Sequence, residues 1–228
     1  MLFLRDKLET SIMKSLRIKL SEAKDELLGK SKWWGAADLP DGWDYPEIPY
    51  EDGDNDPMTL VCQIRCADLA AIDTENLLPH EGMLYFFAAI DEYVHALDED
   101  GYYVECECHN GMGEWSPEAY RVLYSPTEDD LVIHNTVNAD GSPAYLHAEE
   151  ITFEAVDDVK CPDFKLLGKP YYDEIEELYP DYLNLLQIEE NEDWGLVLYD
   201  CGMICFLILP EDLKARRFDR VKVYFHSF

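Results

Sequence analysis

The sequence predicts an α+β fold: a largely antiparallel sheet built from two related halves, with an N-terminal helix packed on it. Three observations lead there. First, an ordered triple of features occurs twice, roughly 120 residues apart. A bulky pair meets a glycine at Trp33-Trp34-Gly35 and Leu166-Leu167-Gly168, and an apolar strand carrying one glutamine follows at Leu60-Val61-Cys62-Gln63-Ile64 and Leu185-Leu186-Gln187-Ile188. A second glycine then opens an apolar run, Gly82-Met83-Leu84-Tyr85-Phe86-Phe87 in one half and Gly202-Met203-Ile204-Cys205-Phe206-Leu207 in the other. Second, strand-like segments alternate with Gly, Pro, Asn and Asp at lengths suited to antiparallel pairing rather than helical crossovers. Third, Leu8, Ile12, Leu16, Leu20, Ala23 and Leu27 recur every three or four positions, the period of an amphipathic helix.

The helix is expected over residues 1–30, with Gly29 as its stop and Lys14, Arg17 and Lys24 on its polar face. The first half of the repeat is expected over residues 31–156 and the second over 157–228, the whole forming one unit. From Ser31 to Pro57 the prolines bias their predecessors away from helix, so an ordered irregular loop pinned by aromatics is expected. Strands are expected at Thr59–Ile64, Met83–Ile90, Tyr102–Cys106, Arg121–Tyr124, Leu131–Thr136 and Ile151–Val156. The runs Met83–Ile90 and Met203–Leu209 show no polar alternation, which predicts burial on both faces. Val221–Phe225 begins with alternation and is expected at the periphery. Ala67–Ile72, Glu211–Arg217 and Asp173–Leu178 read as short helices.

The chain has 228 residues, 15 Tyr, 9 Phe and 5 Trp, enough apolar area for a large folded core despite a net charge of −31. The charge is unevenly spread. Of 18 basic residues, eight lie in residues 1–32 and five in 210–228, leaving five between; of 49 acidic residues those ends hold five and three, leaving 41. Such a middle segment excludes binding to nucleic-acid phosphates and suits a basic protein partner. No apolar run approaches the roughly 20 residues of a membrane span, and Arg5, Asp6 and Lys7 interrupt the apolar start, so a cytoplasmic protein without membrane attachment is expected.

Seven cysteines, several in apolar runs, argue against a disulfide framework. Cys106-Glu107-Cys108-His109 lacks a second ligand pair, and Asp52-Gly53-Asp54-Asn55-Asp56 lacks a downstream glutamate at calcium-loop spacing, so no metal is expected. No cofactor is expected either. A nucleophile elbow, a phosphate loop and a zinc-binding His-Glu-x-x-His helix are all missing from the sequence, and the reading leans to a non-enzymatic protein.

Trp33-Trp34-Gly35, Leu39-Pro40, Trp43, Pro46, Pro57-Met58, Gln63-Ile64, Asp68-Leu69, Leu78-Pro79 and Gly82 with Leu84-Tyr85-Phe86-Phe87 resemble the first part of the YwqG-like family of bacterial proteins. Leu167-Gly168-Lys169-Pro170, Leu185-Leu186-Gln187-Ile188, Trp194, Asp200-Cys201-Gly202, Phe206, Asp212-Leu213 and Phe218 resemble its closing part. The resemblance implies an α+β fold with an internal repeat and no established activity. The family's double glycine and proline before Leu-Pro are replaced here by Gly35-Ala36-Ala37-Asp38.

Gln63 and Gln187 are the sharpest candidates, because an unpaired amide in an apolar strand costs about 1–3 kcal/mol. Either they satisfy backbone groups of adjacent loops, the favoured reading, or they face a ligand cleft between the halves walled by Trp34, Trp43 and Trp194. The leading functional expectation is a protein that binds a basic partner through its acidic surface, as an inhibitor or immunity-type factor does. A small-ligand-binding domain using the cleft between halves is the alternative. The sequence sets no oligomeric state.

Overall fold

The structure is a computed structural model and describes residues 14–49, 55–90, 93–94, 110–137, 141, 143, 145–191, 193 and 195–228. It is built mainly of strand. An 11-stranded sheet, antiparallel throughout, curls into a half-barrel, and among the described residues the α-helices are two short ones, α1 (Asp173–Leu178) and α2 (Pro210–Lys214). The α+β expectation is thus corrected to a predominantly β fold.

The N-terminal helix is corrected with it. Ser15–Glu22 is strand β1 and lies near the middle of the sheet. Residues at i and i+4 share a face in a strand as well as in a helix, so Leu16 and Leu20 do not discriminate between the two. Ile18 does, because Leu16, Ile18 and Leu20 alternate with Arg17, Lys19 and Ser21 at period 2. Leu16 and Ile18 enter the core, while Arg17 and Lys19 meet Glu154 on the partner strand. The part of that expected helix before residue 14 lies outside the described residues, as does the strand expected at Tyr102–Cys106.

Strands β2 (Lys32–Trp33), β3 (Ala37–Pro40), β4 (Glu47–Pro49), β5 (Asn55–Pro57), β6 (Thr59–Arg65) and β7 (Met83–Ala88) follow. Then come β8 (Gly113–Glu114), β9 (Tyr120–Ser125), β10 (Leu131–His134) and β11 (Glu149–Val156). The last are β12 (Lys165–Leu166), β13 (Leu183–Glu189), β14 (Met203–Ile208) and β15 (Lys222–His226). Across the sheet the order is β8-β15-β14-β13-β12-β1-β11-β2-β6-β7-β9. The β1–β11 pair therefore sits between two runs of like order, β2-β6-β7 on one side and β12-β13-β14 on the other.

Local geometry follows the same correspondence. Lys32 pairs with Gln63 and Lys165 with Gln187. The β6–β7 register slips between Leu60 and Cys62, and the β13–β14 register between Asn184 and Leu186. The freed carbonyls of Val61 and Leu185 accept from Trp34 N–H at 3.1 Å and Leu167 N–H at 3.4 Å. Trp34 and Leu167 both hold left-handed backbone, φ 57° and 59°, a conformation that bulky side chains adopt only when their surroundings enforce it. The two later glycines are both required by close approach: a Cβ would stand 1.9 Å from the Ser125 carbonyl oxygen at Gly82 and 1.8 Å from the Leu198 carbonyl oxygen at Gly202, and Gly82 alone of the two also holds left-handed backbone, φ 78°.

Curling brings the two ends of the sheet together. Phe86 on β7 and Phe206 on β14 lie seven strand positions apart in the order, yet their rings pack edge to face at 5.4 Å. Residues 115–119 alone separate β8, on one edge, from β9 on the other, and Tyr120 Oη donates to the Val221 carbonyl at 2.9 Å. The inner face forms one core with contributions from both runs. Every residue of β7 and β14 is buried because each strand also has its outer face covered. On β7 the cover comes from residues 34–49 and 55–58, where Tyr85 Oη donates to the Asp38 carbonyl and Tyr45 packs on Phe87 at 5.3 Å. On β14 it is α1, whose Ile175 packs with Tyr172, Met203, Cys205 and Leu207 in a separate small cluster.

Candidate functional site

Two polar constructions stand out on the outer faces. The first is buried. Lys32 Nζ donates to both oxygens of Asp38 at 3.0 Å, Gln63 Nε2 donates to Asp38 Oδ2 at 2.7 Å, and Gly29 N–H donates to the same oxygen at 2.9 Å. Gln63 also donates to the Lys30 carbonyl and accepts from Asp38 N–H. Burial pulls the Lys32 ammonium down, and Asp38 opposes that shift. The loop at Asp38 thus supplies the counter-charge of a buried lysine.

The corresponding place in the second run has no acid. Lys165, fully buried, donates to the carbonyls of Cys161 at 2.7 Å and Val159 at 3.2 Å, and burial lowers its pKa. Gln187 donates to the carbonyls of Cys161, Pro162 and Asp163 and accepts from Tyr171 N–H. Both glutamines are thereby engaged by loop backbone, and the four strands β12, β1, β11 and β2 lie between them. Trp34 is 2% exposed, its ring 5.5 Å from that of Trp33, and Trp43 is half-buried against the core. Trp194 lies outside the described residues. The structure does not gather these residues around a shared opening: at the seam, Phe86 and Phe206 are in ring contact.

The second construction is a cleft of about 680 Å³ on the outer face of the second run. Its floor is the end of β13 and the start of β14, Glu189, Glu190 and Met203; its walls are Tyr171, Tyr172 and Phe228. Tyr172 donates its hydroxyl to the Cys201 carbonyl at 2.5 Å, which fixes the ring where the chain enters α1. Ser227 Oγ donates to the Asp200 carbonyl and accepts from Asp200 N–H, which pins the segment carrying Phe228. The rings of Tyr171 and Tyr172 lie 5.1 Å apart at 68°, those of Tyr172 and Phe228 5.3 Å apart at 84°. Tyr171 and Phe228 remain 43% and 76% exposed.

The cleft is acidic. Asp173, Glu174, Glu189 and Glu190 line it with a single lysine, Lys160, which is ion-paired to Asp173 and Glu176. Burial, reinforced by Asp163 and Glu190, raises the Glu189 carboxyl to about 7. No hydrogen bond or ion pair holds that carboxyl among the described residues. Cys201 has its thiol pushed up by desolvation and by Asp200, away from the thiolate that a nucleophile needs. Among the described residues, no group of three or more His, Cys, Asp or Glu gathers as a metal site. The tract Cys106 to His109 and the residues Asp52 and Asp54 lie outside the described residues. The sequence reading missed this cleft. Its signal was the run Tyr171-Tyr172-Asp173-Glu174, two aromatics abutting acids at a helix start, and the Glu189-Glu190 pair closing the glutamine strand.

The model of a domain of unknown function, DUF1963, matches residues 31–170 and 169–226. The chain belongs to this DUF1963 family. The second match begins where β12 gives way to the α1 loop; Lys32, Asp38, Gln63, Tyr171, Tyr172 and Glu189 fall inside the matched residues, and Phe228 lies beyond them. Among curated proteins, none matches the chain. No helix among the described residues is long and apolar enough to cross a membrane.

Proposed function

We propose that this chain is a non-enzymatic binding protein that engages a basic protein partner through its acidic surface, as an inhibitor or immunity-type factor does. One observation carries the reading: five of the chain's cations are already used by its own carboxylates. Arg17 holds Asp163 at 2.7 Å, Lys19 holds Glu154 at 2.6 Å, Arg65 holds Glu128 at 2.7 Å, Lys160 holds Glu176 at 2.7 Å, and Lys222 holds Glu114 at 2.5 Å. The formal charge of −31 is left without internal compensation, and the resulting self-repulsion is relieved by a partner of opposite sign. The free thiols of Cys62, Cys66, Cys161, Cys201 and Cys205 fit a reducing compartment such as the cytoplasm. The YwqG-like motifs belong to the same proposal and add no activity to it.

Affinity capture from lysate at low and high ionic strength tests the reading. A recurrent basic polypeptide that high salt releases is expected. Recovery of no basic, salt-sensitive partner would sink it. Packed rings at the seam between the halves favour no ligand site there, so the small-ligand alternative is not advanced.

A further inference from the structure

We infer that the cleft walled by Tyr171, Tyr172 and Phe228 receives a cationic side chain, lysine or arginine, of that partner; the inference rests on the preceding reading. Three aromatic rings set at steep angles to one another present π faces and edges around one opening, and a cation placed over such faces is attracted by the ring quadrupoles. The long aliphatic stem of a basic side chain suits the apolar wall that Met203 and Pro162 supply beside the rings. Charge complementarity selects the occupant. Glu189, Glu190 and Glu174 point to a positive group, and Lys160 is already held by Asp173 and Glu176, so it does not fill that role itself.

Glu189 gives the site a second signature. Its carboxyl titrates at about 7, because it is partly buried and faces Asp163 and Glu190. A bound cation stabilises the ionised form and releases a proton, so affinity rises as pH increases from about 6 to 8. The other groups facing this region are Asp163, which is paired with Arg17, Lys160 from the opposite wall, Cys201 from the β13–β14 loop, and His226, whose ring lies 4.5 Å from that of Tyr172. The pH profile is therefore read against Glu189→Gln, which leaves all of these groups in place.

The experiment is an NMR titration of the isotope-labelled chain with Nα-acetyl-lysine methylamide and, separately, its norleucine analogue. The lysine probe is expected to shift the amides of Tyr171–Glu174 and Glu189–Glu190, and the norleucine probe to leave them unmoved. Tyr171→Ala and Phe228→Ala, both at exposed rings and so harmless to the fold, are each expected to weaken binding about 2- to 5-fold. Glu189→Gln is expected to flatten the pH profile. Equal binding of the two probes, or undiminished binding by the two aromatic variants, would overturn the inference. Neither result depends on recovering a partner, so a failed lysate capture bears on the preceding reading and the titration decides this one.

Discussion

Asp38 and Tyr171 hold the same place beside the two strand glutamines: Asp38 N–H donates to Gln63 Oε1 at 2.9 Å, and Tyr171 N–H to Gln187 Oε1 at 3.1 Å. The side chains then diverge. Asp38 turns inward and neutralises Lys32, whereas Tyr171 turns outward to wall the cleft and leaves Lys165 to backbone carbonyls. One position therefore serves stability in the first run and the candidate site in the second.

Removing the Asp38 charge strands a buried ammonium. Asp38→Asn is expected to lower unfolding free energy by about 3 kcal/mol, because a buried pair broken at one partner leaves an uncompensated charge. The double variant Lys32→Met with Asp38→Leu is expected to lose less than the sum of its single changes. Urea denaturation of wild type, Asp38→Asn, Lys32→Met, Asp38→Leu and the double variant measures both quantities.

Lys165 has the opposite character. Its ammonium is desolvated without a carboxylate, so Lys165→Met is expected to change stability at neutral pH by about 1 kcal/mol or less, the lost hydrogen bonds offsetting the relieved desolvation. Its folded pKa lies below its unfolded value, so the folded state binds fewer protons and the cost of burial fades as pH rises toward 10.5. The wild type is thus expected to recover stability relative to Lys165→Met in the alkaline range. Thermal melts of both proteins between about pH 8 and 10.5 follow the difference.

Much of the sheet was legible in the sequence because β6, β7, β13 and β14 are buried on both faces. Gln63, Gln187 and the unbroken run Met83 to Ala88 carry strong period and composition signals, and they occupy β6, β13 and β7. Strand β1 was misread because Leu16 and Leu20 fit two periods at once, and the deciding neighbour was one residue, Ile18. Strands as short as Lys32–Trp33 and Lys165–Leu166 have no period to read; tertiary pairing creates them. The cleft was illegible for another reason. Tyr171, Glu189, Cys201 and Phe228 come from separate stretches of chain, and the pairing of β13, β14 and β15 and the Ser227 hydrogen bonds bring them together.

Glu189 makes stability depend on pH near neutrality. Its folded pKa is raised above the ordinary carboxylate value, so the folded state holds the proton more tightly. Stability is greatest below the unfolded value near 4.5 and is lost as pH rises through about 7. Glu189→Gln is expected to remove that decline and to exceed wild type by roughly 1–3 kcal/mol at pH 8. Chemical denaturation at about pH 5 and 8 resolves it; parallel curves for the two proteins would contradict the assignment.

The closed end of the half-barrel depends on Phe86 and Phe206. Each substitution to Ala is expected to cost about 3–5 kcal/mol, and the double-mutant cycle is expected to show coupling of about 0.5–1.5 kcal/mol beyond burial. Zero coupling would place the two rings apart.

The central claim is that the binding face is the aromatic, acidic cleft of the second run rather than the acidic surface at large or the seam between halves. Amide chemical-shift mapping with a synthetic lysine–glycine repeat peptide tests it most directly. The largest shifts are expected at Tyr171–Glu174, Glu189–Glu190 and Cys201–Met203. Shifts spread evenly over the carboxylate-bearing surface, or centred on Trp43 and Gln63, would contradict it.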